Sequence, residues 1–214
     1  MKPFWSEIFS NPSSKSNLAG INASAIVEAS REKIGKYLLL NNKKVIFTSG
    51  ATESNNLALI GFARKYYKKT GNYGHIITLK TEHKAVLEPL EQLKKEGFQV
   101  TEITPEKDGL IAEHNLIKSI REDTFMVSIM MANNEIGVLQ PIENILRICK
   151  SKEIILHSDF AQCLGYVELN DLYSNVNMIT MSSHKIYGPK GIGLLLIDEE
   201  INLEPLIVGG GQEY

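Results

Sequence analysis

Val45-Ile46-Phe47-Thr48-Ser49-Gly50-Ala51-Thr52-Glu53-Ser54-Asn55 is the stretch that decides the fold class. Residues 45–48 form a short apolar, strand-favouring run. Leu57, Leu59, Ile60 and Phe62 then mark a helix over 52–68 that stops before Gly71 and Gly74. A strand that passes through Ser49-Gly50 straight into a helix is half of a βαβ unit. Outward from it the alternation continues. Strands are predicted at 75–79, 99–103, 125–130, 154–157, 178–181 and 192–195, and helices at about 17–40, 83–95, 112–121 and 141–150, the last with Pro141 in its first turn. Strands spaced by helices argue for an α/β fold: a mostly parallel, open sheet covered on both faces, which gathers ligands at the carboxyl ends of its strands. No repeat, low-complexity segment or linker interrupts residues 1–214, so one domain is expected to cover them.

Composition narrows the class. A 43% hydrophobic and 22% charged chain is ordinary for a soluble globular protein, and its net charge of −2 gives no electrostatic case for nucleic acid or an anionic membrane as partner. Met1-Lys2-Pro3-Phe4-Trp5-Ser6-Glu7 lacks the basic-then-apolar pattern of a secretory signal. The most apolar run, 191–197, has the length of a strand rather than of a membrane span. Two cysteines are too few for a disulfide framework and fit a reducing compartment, so the cytoplasm is the expected location.

Several residues follow strands and could carry chemistry. Small residues at 49–51 and the hydroxyl of Thr52 let a backbone and a helix start approach an anion; the same residues also make an ordinary helix cap. His83, after the strand at 75–79, is placed to stack on a flat ring or move a proton, or simply to cap its helix. Asn133-Asn134-Glu135-Ile136-Gly137 offers two amide donors that are equally good turn formers. Asp159, with Gln162 three residues on, is either a helix cap or a carboxylate that pairs with a pyridinium nitrogen. Lys185, within Ser182-Ser183-His184-Lys185-Ile186-Tyr187-Gly188-Pro189-Lys190-Gly191, is a natural Schiff-base former for pyridoxal 5'-phosphate (PLP). Cys149 lies among Ile145, Leu146 and Ile148 as a core hydrophobe, and nothing near Cys163 argues for a lowered thiol pKa. No metal is assigned.

Taken in order, these segments resemble cysteine desulfurases of the NifS/IscS type, among the class V aminotransferase-fold PLP enzymes. The resemblance rests on Asn11-Pro12-Ser13-Ser14, the run from Ile46 to Ser54, Lys80-Thr81-Glu82-His83-Lys84-Ala85-Val86, Val127-Ser128-Ile129, Asn133 to Gly137, His184 to Gly191, and Gly209-Gly210-Gly211-Gln212-Glu213. It implies the PLP-dependent transferase large domain of the aspartate aminotransferase-like fold. It also implies that Lys185 anchors PLP, His83 stacks on its ring and Asp159 pairs with the ring nitrogen. Asn134 and Gln162 serve the phenolate oxygen side, and Ala51, Thr52, Ser182 and His184 hold the phosphate. Ser183 stands where many members have Gly, and Phe160-Ala161 replaces a small residue and Thr.

In the family, PLP labilises L-cysteine and a cysteine thiolate takes its sulfur as a persulfide, releasing alanine; the persulfide feeds iron–sulfur cluster assembly or thiolation. The resemblance places the family's nucleophilic cysteine and substrate-binding arginine in a small C-terminal domain beyond Tyr214, and a short segment before Met1. Cys149 and Cys163 do not match the nucleophile's motif. The expectation is therefore a PLP-binding core that is not a competent desulfurase by itself. The alternatives are a residual PLP-dependent transaminase or lyase, or an interaction remnant that pairs with a full-length desulfurase subunit or a complementary chain. A homodimer is a further possible state.

Overall fold

The computed structural model describes residues 2–38, 42–168, 173–210 and 213. The deciding stretch forms strand β1 (Lys43–Thr48), turns at Ser49-Gly50 and enters helix α3 (Ala51–Asn56). The expected helix over 52–68 is not uniform. It widens into a π turn at Leu57–Gly61 before resuming as α4 (Phe62–Thr70). At that point the Gly61 carbonyl accepts the Glu204 N–H at 3.0 Å, and a Cβ on Gly61 would lie 2.8 Å from the Glu204 carbonyl oxygen. A distant backbone thus docks on the helix where the ladder loosens.

The remaining strands and helices alternate as expected: β2 (His75–Leu79), α5 (Lys84–Glu96), β3 (Gln99–Ile103), α6 (Glu113–Ser119), β4 (Thr124–Ser128), α7 (Ile142–Ser151), β5 (Ile155–Asp159), β6 (Met178–Ser182) and β7 (Gly193–Asp198). Pro141 caps α7 from just outside it rather than lying in its first turn. Beyond β4 the backbone stays beside β5, because the N–H groups of Ile129 and Met131 donate to the carbonyls of His157 and Asp159, each at 3.1 Å.

Among the described residues the sheet has seven strands in the order β1-β7-β6-β5-β4-β2-β3. Only β7 runs against its neighbours; it pairs antiparallel with both β1 and β6. Every residue of β2, β4 and β6 is buried. Since successive side chains point to opposite faces, both faces of the sheet are covered. On one side Leu59, Val86, Leu90 and Leu93 pack with Ile76, Met126 and Leu195 in a single apolar cluster. Buried polar strand residues find partners within the sheet: His75 lies between the hydroxyls of Thr124 and Thr101 at 2.7 and 2.8 Å, and His157 between those of Ser128 and Thr180 at 2.8 and 3.2 Å.

The antiparallel strand sets the position of the site. Ser182 at the end of β6 pairs with Gly193 at the start of β7, and Gly193 also pairs with Thr48 at the end of β1. Residues 183–192 therefore make their excursion, with Lys185 on it, at the edge where β1 and β6 end. The other parallel strands end there too.

Residues 2–38, 207–210 and 213 belong to a second, smaller unit. It holds α1 (Pro3–Ser6) and α2 (Leu18–Tyr37), the latter capped by Asn17, whose Oδ1 accepts the Gly20 N–H at 2.8 Å. The Arg31 guanidinium donates to both carboxylate oxygens of Glu213, at 2.9 and 2.8 Å. Among the described residues no helix is long and apolar enough to cross a membrane.

Close backbone packing at the site's edge gives a direct test. A Cβ on Gly193 would sit 2.5 Å from the Gly50 carbonyl carbon and 2.6 Å from its Cα, neither of which can swing away as a side chain could. Gly193→Ala is expected to lower stability by about 1–3 kcal/mol. Urea unfolding should show a lower midpoint at unchanged slope; an unchanged midpoint would contradict the packing.

Candidate active site

Asp159 closes β5 and is buried. Its Oδ2 accepts a hydrogen bond from Asn55 Nδ2 at 2.7 Å and its Oδ1 accepts the Ala161 N–H at 2.8 Å. Burial pushes the carboxyl above its ordinary range; the two donors and the charge of Lys185 oppose this without cancelling it. Asn55 reaches Asp159 because it lies one helical turn after Ala51, on the same face of the helix.

Ser49, Gly50, Ala51, Thr52 and Glu53 line a cavity that Asp159 also lines. The Glu53 carboxylate is engaged by the Ser49 N–H at 2.7 Å. The unbroken helical run from Ala51 to Thr70 stands behind the N–H groups of its first turn.

Lys185 occupies a single 3-10 turn, Ser183–Ile186, directly after β6. Tyr187 follows at φ 59°, a left-handed conformation uncommon for a residue with a side chain, and it turns the chain back toward β7. Gly188 closes the turn, its N–H donating to the Ser183 carbonyl at 3.0 Å. A Cβ there would lie 2.1 Å from Ser183 Oγ, so the Ser at 183 and the Gly at 188 are matched. Ser182 Oγ and His184 Nδ1 bond each other at 2.8 Å.

His83 turns out to be both a cap and a cavity residue. Its Nδ1 accepts the Ala85 N–H at 3.0 Å at the start of α5, which leaves Nε2 to carry the hydrogen of the neutral ring. The two asparagines divide their work. Asn133 is buried and shapes the turn, its Oδ1 accepting the N–H groups of Glu135 and Ile136 at 2.8 and 3.0 Å. Asn134 lines the cavity.

All nine residues singled out from the sequence, Ala51, Thr52, His83, Asn134, Asp159, Gln162, Ser182, His184 and Lys185, line one cavity of about 660 Å³. Met130, Ala132, Ala161 and Lys190 join them there. Two further residues act from behind the wall and were not foreseen as site residues: Asn55, which holds Asp159, and Glu82, whose Oε1 accepts the Met130 N–H at 2.7 Å. The spacing of Asn55 four residues after Ala51 was a usable signal; Glu82 offered none beyond its place next to His83. Cys149 and Cys163 are fully buried, neither lines the cavity, and burial pushes both thiols up to about 12.

Residues 1–213 match the family model described as aminotransferase class-V. The chain is 46% identical over its whole length to the mitochondrial cysteine desulfurase of Eremothecium gossypii and covers 43% of that protein. It is 48% identical over 207 residues to the cysteine desulfurase IscS of Vibrio vulnificus, with 96% of this chain and 50% of that protein covered. The solved structure of SspA in complex with cysteine superposes with a TM-score of 0.91 at 40% identity, over 99% of this chain and 60% of SspA. The chain spans about half the length of the curated relatives it matches. It belongs to the class V aminotransferase family, and the members it is similar to are cysteine desulfurases.

Proposed function

We propose that this chain is the PLP-binding part of a cysteine desulfurase. The observation that carries the proposal is a buried carboxylate, Asp159, fixed by two donors in the same cavity as Lys185. The donor set fits the cofactor: an amine for an aldehyde, a buried anion for a pyridinium, an imidazole for a ring face, and a helix start with hydroxyl and imidazole groups for a phosphate. Bound there, PLP would serve as an electron sink for bonds at the α-carbon of an amino acid.

The residues have distinct tasks. Lys185 would anchor the cofactor through its amine and could serve as a base in the same cavity. Asp159 would favour a protonated ring nitrogen, and Asn55 keeps Asp159 oriented and partly compensated for its burial. His83 would face the ring, with its orientation fixed by the bond it accepts from Ala85. Asn134 and Gln162 would donate toward the phenolate oxygen, and Ala51, Thr52, Ser182 and His184 would hold the phosphate. The amino-acid substrate is L-cysteine, supported by the cysteine carried by SspA.

Sulfur removal also needs a thiolate in reach. Cys149 and Cys163 cannot supply one, because both are fully buried and their thiols titrate far above neutral pH. The accepting thiol therefore comes from outside these 214 residues, either from further sequence of the same chain or from a paired desulfurase subunit. The same observation favours a second outcome for these residues alone: slow PLP-dependent transamination or elimination without persulfide.

Two experiments test this. With PLP added, the protein should show a visible absorption band that disappears in Lys185→Ala, and cysteine should yield no alanine at enzymatic rates until a thiol-bearing partner is supplied. Alanine and sulfide formed at full rate by these residues alone would contradict the assignment of the thiol. Asn55→Ala should raise the dissociation constant for PLP about tenfold, as expected for one lost buried hydrogen bond, and Asn55→Asp should lose affinity as pH rises, because a second carboxyl can donate to Asp159 only while it is protonated. Fluorescence titration with PLP reads both; wild-type affinity in either variant would refute the role given to Asn55.

A further inference from the structure

Glu82 stands in the turn from β2 into α5, between Thr81 and His83, and is buried. Its Oε1 accepts the Met130 N–H at 2.7 Å. Its Oε2 is sealed from solvent and has no hydrogen-bond partner among the described residues. Nor does Glu82 join an ion pair among them. A carboxylate in this position would carry a full charge answered by a single N–H, and one donor does not offset that desolvation.

The neighbouring buried carboxyl makes the contrast plain. Asp159 has two donors, and the charge of Lys185 favours its ionised form. Glu82 has one donor, and the nearby Asp159 opposes a second negative charge. Burial is the main cause that pushes the Glu82 carboxyl well above its ordinary range; Asp159 adds to it, and only the Met130 N–H works against it. Burial raises both carboxyls, but Glu82 lacks the second donor that Asp159 has, so of the two it is the one that holds the proton.

We propose that Glu82 is a neutral acid at neutral pH and a positioning residue for His83, tying the His83 turn to the end of β4 while leaving Asp159 as the buried anion of the site. A second bond works in the same direction, with Asn133 Nδ2 donating to the Thr81 carbonyl at 2.8 Å. The loop that presents His83 is thereby fixed to the loop that presents Asn134. A charged Glu82 would set a second buried negative charge near Asp159; a neutral one holds the turn without that repulsion. The bearing on cofactor affinity rests on the PLP assignment, whereas the proton on Glu82 does not.

Infrared spectra of the cofactor-free protein in D2O at neutral pH, compared with Glu82→Gln and Asp159→Asn, test the protonation state. The expected result is a carboxylic-acid carbonyl band that is lost in Glu82→Gln and kept in Asp159→Asn. Loss of carboxylate bands in Glu82→Gln, or of the acid band in Asp159→Asn instead, would overturn the proposal. Glu82→Gln is the neutral isostere, so its failure to fold would overturn it as well. Positioning is read from PLP affinity: Glu82→Ala should weaken it about tenfold, and Glu82→Gln should restore most of the loss. Equal losses in both variants would show that the acid itself is needed. If the wild-type protein takes up no PLP, the cofactor assignment fails, the infrared result still decides the proton on Glu82, and urea midpoints of the same variants decide whether Gln keeps the tie that Ala removes.

Discussion

Burying a carboxylate at the end of a central strand is the constraint around which this site is arranged. Asp159 can be sealed at the floor of a cavity only if its oxygens are answered. The answers come from two directions, an amide of the helix that starts at the cavity's edge and a backbone N–H two residues further along its own chain. A buried hydrogen-bonding group left unanswered costs about 1–3 kcal/mol, and more when charged. The remaining deficit leaves a carboxyl that gains from a cation placed against it. Lys185 leans that way, and under the proposed assignment a protonated pyridine ring would complete the balance.

The sheet brings these groups together through one reversal. Strands that run the same way end at the same edge, so β1, β2, β4, β5 and β6 deliver the residues that follow them to a common line. β7 runs the other way, so the chain between β6 and β7 needs only a short loop at that edge, and Lys185 is on it. Gly193, pressed against Gly50, lets β7 approach the β1 turn and keeps the helix start beside the lysine loop. The geometry of the lysine thus depends on a glycine that carries no chemistry.

Much of this is legible in the residue pattern and some of it is not. Asp159, His83 and Lys185 stand out because each follows a strand-like run, and an alternation of strands with helices already tells where such residues gather. Glu82 does not stand out: between Lys80 and Lys84 it has the appearance of a solvated charge, and only the packing of β4 against its turn makes it a buried acid. Asn55 shows only its helical spacing from Ala51, since its partner lies 104 positions away. The π turn at Leu57–Gly61 has no local sequence cause, since it coincides with the docking of Glu204 from near the far end of the chain. Local patterns fix elements and their order, whereas protonation and helix irregularity here depend on contacts made across the fold.

The central claim, that Asp159 exists to hold a protonated ring nitrogen, is tested most directly by nitrogen NMR of ring-labelled [15N]PLP bound to the protein. The wild-type complex should show the chemical shift of a protonated pyridine nitrogen at neutral pH, and Asp159→Asn should move it to that of the unprotonated ring. An unprotonated nitrogen in the wild type, or a protonated one that persists in Asp159→Asn, would contradict the account.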